Sequence, residues 1–328
     1  MRRGKVKYLC KTCNKWFQIN RTVTKSIDTS LALLHIQGVS FRSLAQTFDM
    51  SVGSAYSKVS RVLATLPHCA DISRQYCSRY GGILLVDGKY VAVKGYDSKI
   101  PVLYGVDYDT HDIPTYRLSV AENYQTCLVF FQSLRLLNYP LQALVCDDNR
   151  NIYQACLKIY PKTIVQLCQN HYKESIRKTF HVRTDNTHIS FVHAIEHLFK
   201  VKRSQTEFNH HMQSIMARYG ETEEYMSVIL DIYKRFDMIC GYMNIRSVPR
   251  TTNLIESMNS HLQGRLKTIK GFESMHDANH WLNAYFLYRI MNKFTDCEGK
   301  FKRLNGFSSL QKTITNISCY DDILPFFR

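Results

Sequence analysis

The sequence predicts an α/β protein: a mixed β-sheet flanked by helices, interrupted by an all-helical insertion and preceded by a small helical head. Three observations predict it. Between residues 83 and 166, apolar runs of strand length alternate with helical stretches. From 172 to 248 the apolar spacing is helical throughout. Residues 1–66 hold 11 Lys/Arg against 2 Asp/Glu, so +9 of the chain's net +16 sits in one fifth of its 328 residues.

Composition narrows the function class. Hydrophobic residues make up 45% and charged residues 21%, which excludes a disordered or fibrous chain. No apolar run of about 18 residues occurs, so no membrane span is expected. The basic start, Met1 to Lys5, leads into no apolar stretch. No secretion signal is read, and the cytoplasm is the expected compartment. The positive excess selects a polyanionic partner, and nucleic acid is the usual one. Eleven scattered cysteines read as reduced thiols rather than a disulfide framework.

In the head, Tyr8–Phe17 contains Cys10-Lys-Thr-Cys13. Two thiolates at this spacing grip one face of a tetrahedral Zn²⁺. No second pair precedes them, so the expectation is a partial zinc ribbon or a basic arm over 1–22. Residues 23–67 form the next unit. Ile27, Leu31 and Leu34 recur at helical spacing and Gly38 stops the helix. Ser40 caps a second helix carrying Leu44 and Phe48. Asp49-Met50 turns, and Ser51 caps a third helix with Ala55, Val59 and Val62 inward. This is a helix-turn-helix pattern. Its outward residues, Ser54, Ser57, Lys58 and Arg61, suit phosphates and base edges of double-stranded DNA. A small bundle for protein contact is the alternative, and the charge favours DNA.

The body begins near residue 68. Ile83–Asp87 reads as a buried strand ending on a carboxylate. Gly88 is expected to turn it into a partner strand over Tyr90–Val93, with Val102–Val106 as the third. Thr115–Val120 adds β-type residues before a helix over Glu122–Leu137. Ala143–Cys146 is a strand ending at Asp147. A helix over Arg150–Tyr160 and a strand at Ile164–Gln166 follow. This is the order of a ribonuclease H-like sheet, in which the ends of the first and fourth strands can be neighbours. Paired carboxylates there can hold Mg²⁺. Farther on, Thr251, Thr252 or Asn253 can cap a helix with Ile255, Met258, Leu262 and Leu266 buried. Glu256, Asn259 and Lys267 fall on its polar side. His276–Phe294 is a long helix whose Trp281, Tyr285, Phe286 and Tyr288 read as core.

Leu85-Val-Asp87-Gly-Lys-Tyr-Val91, Leu144-Val-Cys-Asp147, Gln166-Leu-Cys168-Gln-Asn-His171 and Thr252-Asn-Leu-Ile-Glu256-Ser-Met-Asn259 occur in series. Together they resemble the DDE transposases of the Mutator-like (MULE) superfamily, in the bacterial insertion-sequence branch. The resemblance runs from about residue 5 to about residue 295. It implies catalytic, metal-binding carboxylates at Asp87, Asp147 and Glu256, with Asp148 as an alternative second ligand. It implies two Mg²⁺ or Mn²⁺ ions and phosphoryl transfer on DNA: cleavage at the element's ends, then strand transfer. Arg265 and Lys267 join the DNA-contacting set. Cys168, His171 and Asn259 are accessory. Cys168 and His171 alone do not complete a zinc site, so a local role beside the carboxylates is expected. The family's tryptophan in the inserted segment has no counterpart here. The units implied are 68–171 and 249–328 as a split catalytic domain around the insertion at 172–248, acting as a homo-oligomer on DNA. Two other readings are an inactive DNA-binding regulator on the same scaffold and a ribonuclease H-like nuclease without strand transfer.

Overall fold

The computed structural model describes residues 27–315 and two short strands before them. These are β1 (Tyr8–Leu9) and β2 (Trp16–Phe17), which pair antiparallel. Cys10 and Cys13 lie outside the described residues.

Three helices follow: α1 (Ile27–Ile36), α2 (Phe41–Thr47) and α3 (Val52–Ala64). Gly38, at φ +99°, turns the chain out of α1 in a conformation that suits glycine. The hydroxyls of Ser40 and Ser51 accept the N–H groups of Ser43 and Ser54, capping α2 and α3 as their positions predict. Leu31, Leu44, Ala55 and Val59 are buried between the helices. Ile27, expected in that stripe, is 48% exposed, because the stripe runs off the first residue of α1.

After α4 (Cys69–Tyr76) comes the sheet: β3 (Ile83–Val91), β4 (Ile100–Asp107) and β5 (Tyr116–Leu118), then α5 (Tyr124–Leu136), β6 (Ala143–Cys146), α6 (Arg150–Ile159) and β7 (Ile164–Leu167). The strand order is β5-β4-β3-β6-β7. β3–β4 and β4–β5 are antiparallel; β3–β6 and β6–β7 are parallel. The expected turn at Gly88 is absent. Gly88 pairs with Leu103 inside one nine-residue strand, and Asp87 sits mid-strand rather than at a strand end. The glycine serves close approach instead: a Cβ there would lie 2.7 Å from Glu122 Oε2.

Helices then follow without a strand through residue 243: α7 (Gln169–Thr179), α8 (Ile189–Leu198), α9 (Gln205–Tyr219), α10 (Glu223–Lys234), α11 (Phe236–Ile239) and a 3₁₀ turn at Gly241–Met243. The buried Gln166 of β7 ties this segment down. Its amide donates to Ile239 O at 2.8 Å and accepts from Tyr242 N at 2.8 Å.

Helices α12 (Asn253–Ile269) and α13 (Met275–Met291) return to the sheet, and α14 (Ser309–Thr313) lies near the end of the described chain. The α12–α13 connection is pinned to the end of β3 by Phe272 N to Ala92 O and Lys94 N to Phe272 O, each 2.9 Å. Trp281 and Phe286 of α13 are buried, as the aromatic pattern predicts. Instead of standing apart, α1 and α3 pack on α13, and Leu31, Val59 and Trp281 belong to one continuous core. Asn283 of α13 fixes the link between them, accepting from Cys69 N and donating to Pro67 O, both at 2.9 Å. No helix among the described residues is long and apolar enough to cross a membrane.

Candidate active site

The parallel pairing of β3 and β6 builds the first half of the site. Leu85 is the partner of Val145. Two residues beyond this pair stand Asp87, within β3, and Asp147, just past the end of β6, close enough for the charge of Asp147 to act on Asp87. Helix α12 packs across β3 and supplies the second half. The buried Asn259 donates from Nδ2 to Asp87 Oδ2 at 2.7 Å and accepts the Tyr104 hydroxyl at 2.9 Å. One turn earlier on α12 stands Glu256. Its Oε1 accepts the Thr252 hydroxyl at 2.5 Å and lies 3.8 Å from His171 Nε2.

Burial gives these groups unusual proton affinities. Asp87 is pushed up to about 6 by desolvation, partly offset by the Gly88 N–H at 2.8 Å and increased by the charge of Asp147. Asp147 is raised by burial and by Glu122 and Asp148, while His171 opposes the shift. Its buried Oδ1 has no hydrogen-bond partner, an omission that water-excluded carboxylates rarely tolerate. His171 is pushed up to about 9, chiefly by its hydrogen bond with Cys168, with Glu256 and Asp147 adding to it. For Cys168 burial acts upward, but hydrogen bonds from the side chains and backbone of His171 and Thr252 prevail and leave the thiol below its ordinary value. A positively charged imidazole therefore sits among the carboxylates at neutral pH, hydrogen-bonded to a thiol that gives up its proton more readily than an ordinary cysteine.

The structure also brings in residues that the sequence did not single out. Glu122, just before α5, is a fourth carboxylate, held by the Tyr90 hydroxyl at 2.8 Å and Asn149 Nδ2 at 2.7 Å. Its charge raises both Asp87 and Asp147. Gly88, with no side chain to shield Glu122 from the strand, is the one sequence signal that points to it. Thr252 is one of three residues, with Thr251 and Asn253, expected as the helix cap. It occupies that position but makes no side-chain cap bond, and its hydroxyl instead contacts Glu256 Oε1 and, at 3.1 Å, Cys168 Sγ. Asp148, the neighbour of Asp147, is engaged elsewhere: Arg235 donates to it and, at 2.6 Å, to Asp231.

The remaining candidates lie away from this cluster. Ser57 and Arg61 are exposed on α3, and Ser54 is half-buried. Lys58 is paired with Asp28 of α1 at 2.6 Å. Arg265 and Lys267 are exposed on the C-terminal half of α12. A cleft of about 710 Å³ lies between α2–α3 and the α12–α13 connection, lined by Arg42, Tyr56, Lys270 and Trp281 among others, well removed from the carboxylates.

A family model described as "Transposase, Mutator family" matches residues 14–289. The chain belongs to the Mutator family of transposases. As a Mutator-family transposase it is a DNA-processing enzyme of a mobile element. It is 22% identical over 279 residues to the transposase for insertion sequence element IS256 in transposon Tn4001 of Staphylococcus aureus. The Enterococcus faecalis transposase of the same description matches equally. Each alignment covers 80% of this chain and 70% of the relative. A Drosophila P element transposase strand transfer complex is similar at a TM-score of 0.34 and 12% identity, over 95% of this chain and 94% of that one.

Proposed function

We propose that this transposase is of the DDE type and cleaves and joins DNA with divalent metal held by Asp87, Asp147 and Glu256. The single observation that carries this is Asp147 Oδ1, a buried carboxylate oxygen with no donor, beside a second carboxylate whose proton affinity is raised. Crowded carboxylates short of donors are a cation's donor set, and the oxygen ligands suit Mg²⁺ or Mn²⁺. When bound, such ions supply Lewis acidity for phosphoryl transfer and neutralise charge at the reacting phosphate.

The chain's own residues do the rest. Asn259, fixed by Tyr104, holds Asp87 in one rotamer. Thr252 holds Glu256. Glu122, itself fixed by Tyr90 and Asn149, keeps the pocket negative enough to recruit a cation. His171 places a positive charge where a DNA phosphate would otherwise meet only carboxylates. Arg235 keeps Asp148 out of the set, which supports Asp147 as the ligand. The sheet order, with β3 central and β6 parallel to it, supports the ribonuclease H-like reading. The α2–turn–α3 arrangement, capped by serines and carrying exposed Ser57 and Arg61, supports a helix-turn-helix DNA reader with Arg265 and Lys267 as backbone contacts. The protein would act in the cytoplasm, on the nucleoid, as a homo-oligomer joining two element ends.

The test is a strand-transfer assay on the full chain with element-end DNA. Mg²⁺ should support both cleavage and joining, and Glu256→Gln should lose both while still shifting the DNA in a gel. Cleavage without joining would reduce the protein to a nuclease. DNA binding without either reaction in the wild type would leave a regulator.

A further inference from the structure

Cys168, His171 and Glu256 each offer one ligand atom, and the three atoms all lie within 4.8 Å of one another. They come from two elements that meet only in the tertiary structure. Cys168 precedes α7 and His171 stands in its first turn, so the i, i+3 spacing turns both side chains the same way. Glu256 is in the first turn of α12. We propose that these three residues form a second metal site, for a soft divalent cation such as Zn²⁺, distinct in ligand chemistry from the all-oxygen set of Asp87 and Asp147.

The chemistry separates the two sites. A sulfur, an imidazole nitrogen and a carboxylate oxygen match zinc's preferred donors, and three protein ligands leave its fourth position open. Mg²⁺ disfavours sulfur and keeps to oxygen. The second shell is already in place. Thr252 reaches Cys168 Sγ through its N–H at 3.4 Å and its hydroxyl at 3.1 Å, and the same hydroxyl contacts Glu256 Oε1. Such contacts orient ligands before an ion arrives. Access is open from one side: Cys168 is buried beneath, whereas the His171 and Glu256 side chains are 44% and 41% exposed.

Glu256 belongs to both sets. A zinc ion on Cys168 and His171 draws it away from Asp87 and Asp147, so soft metal should inhibit a Mg²⁺-supported reaction. This consequence rests on the catalytic reading of Glu256 above; the binding itself does not.

The experiment uses the full chain with Cys10→Ser and Cys13→Ser, which removes the other thiol pair, stripped of metal. Co²⁺ is titrated in and the thiolate-to-cobalt charge-transfer absorption is followed, then Zn²⁺ is added in competition. The expected result is a one-to-one charge-transfer band that Zn²⁺ erases. Cys168→Ser should abolish the band. His171→Gln, at an exposed position that does not threaten folding, should weaken binding by at least about tenfold. Absence of the band, or a band that survives both substitutions, overturns the site. Zn²⁺ should also suppress DNA cleavage at fixed Mg²⁺, with a chelator selective for zinc restoring it. A cobalt band with no inhibition by Zn²⁺ would keep the site and remove Glu256 from the catalytic set.

Discussion

Two pairs of aspartates lie along the same sheet in opposite surroundings. Asp107 ends β4 and is fully buried, but it has abundant donors. Its Oδ2 accepts Gly81 N at 2.9 Å, Gly82 N at 3.2 Å and the Tyr139 hydroxyl at 2.6 Å. Its Oδ1 accepts Asp109 N, Thr110 N and the Thr110 hydroxyl. Nearby Asp112 accepts Ile113 N and the Thr313 hydroxyl. In the other pair, Asp87 has two donors and one oxygen of Asp147 has none. Burial alone therefore does not mark a metal site. Burial with unmet acceptor capacity is what supports the proposed metal-binding role of Asp87 and Asp147, because a cation can supply what the protein withholds.

The largest expected contrast is between Asp147→Asn and Asp107→Ala. Asp147→Asn should reduce cleavage of element-end DNA to background while the protein unfolds at an unchanged or higher denaturant concentration. Asp107→Ala should do the reverse in kind, removing about 3 kcal/mol or more of stability by stranding several buried donors. Urea titration and the cleavage assay together decide. If Asp147→Asn destabilises as Asp107→Ala does, the two carboxylates do not differ in donor supply.

A smaller effect depends on pH. Asp87 has its folded pKa at about 6 against 3.8 ordinarily, chiefly because burial penalises the charged form. Its protonated form favours the fold. That stabilisation is complete below 3.8 and is lost as pH rises through 6. Without metal, Asp87→Asn should melt above wild type at neutral pH, with the gap closing as pH falls to 3.8. Mg²⁺ should raise the wild-type melting temperature and leave the variant's unmoved. A gap that widens in acid would contradict the burial argument.

The least effect on chemistry is expected from Asp148→Asn. It removes a partly exposed ion pair with Arg235, which retains Asp231. The loss of stability should be no more than about 1 kcal/mol, and cleavage should stay within a few-fold of wild type. Loss of cleavage to background would make Asp148 the second ligand in place of Asp147. In the helical head, gel shifts at varied salt should show Arg61→Ala weakening DNA binding and flattening its salt dependence. Lys58→Ala should act mainly by releasing Asp28.

Much of this was legible before any coordinates. Serine caps at Ser40 and Ser51, Gly38 past α1 and the apolar runs of β4, β6 and β7 are local signals, and local geometry obeyed them. Gly88 misled because glycine has two common uses. A turn and a close approach look alike in sequence, and only the carboxylate of Glu122 against the strand distinguishes them. That α1 and α3 pack on α13 was not legible for a related reason: charge is read residue by residue, whereas this packing depends on apolar faces far apart in the chain.

By itself the sequence determined the family, through the order of short motifs around Asp87, Asp147, Cys168, His171 and Glu256. It also set the element types, which follow from periodicity and capping within a few turns. What it left open was how the surroundings of its acidic strand residues differ. Val86-Asp87, Val106-Asp107 and Cys146-Asp147 are the same pattern three times. The antiparallel pairing of β4 sets Asp107 opposite Leu84 near the start of β3, while the parallel pairing of β6 brings Asp147 toward Asp87. Donor supply then separates them, since Gly81, Gly82, Thr110 and Tyr139 reach one carboxylate and nothing reaches Asp147 Oδ1. Strand direction and hydrogen-bond satisfaction are properties of chain segments meeting in space, so only the tertiary structure shows that difference in donor supply.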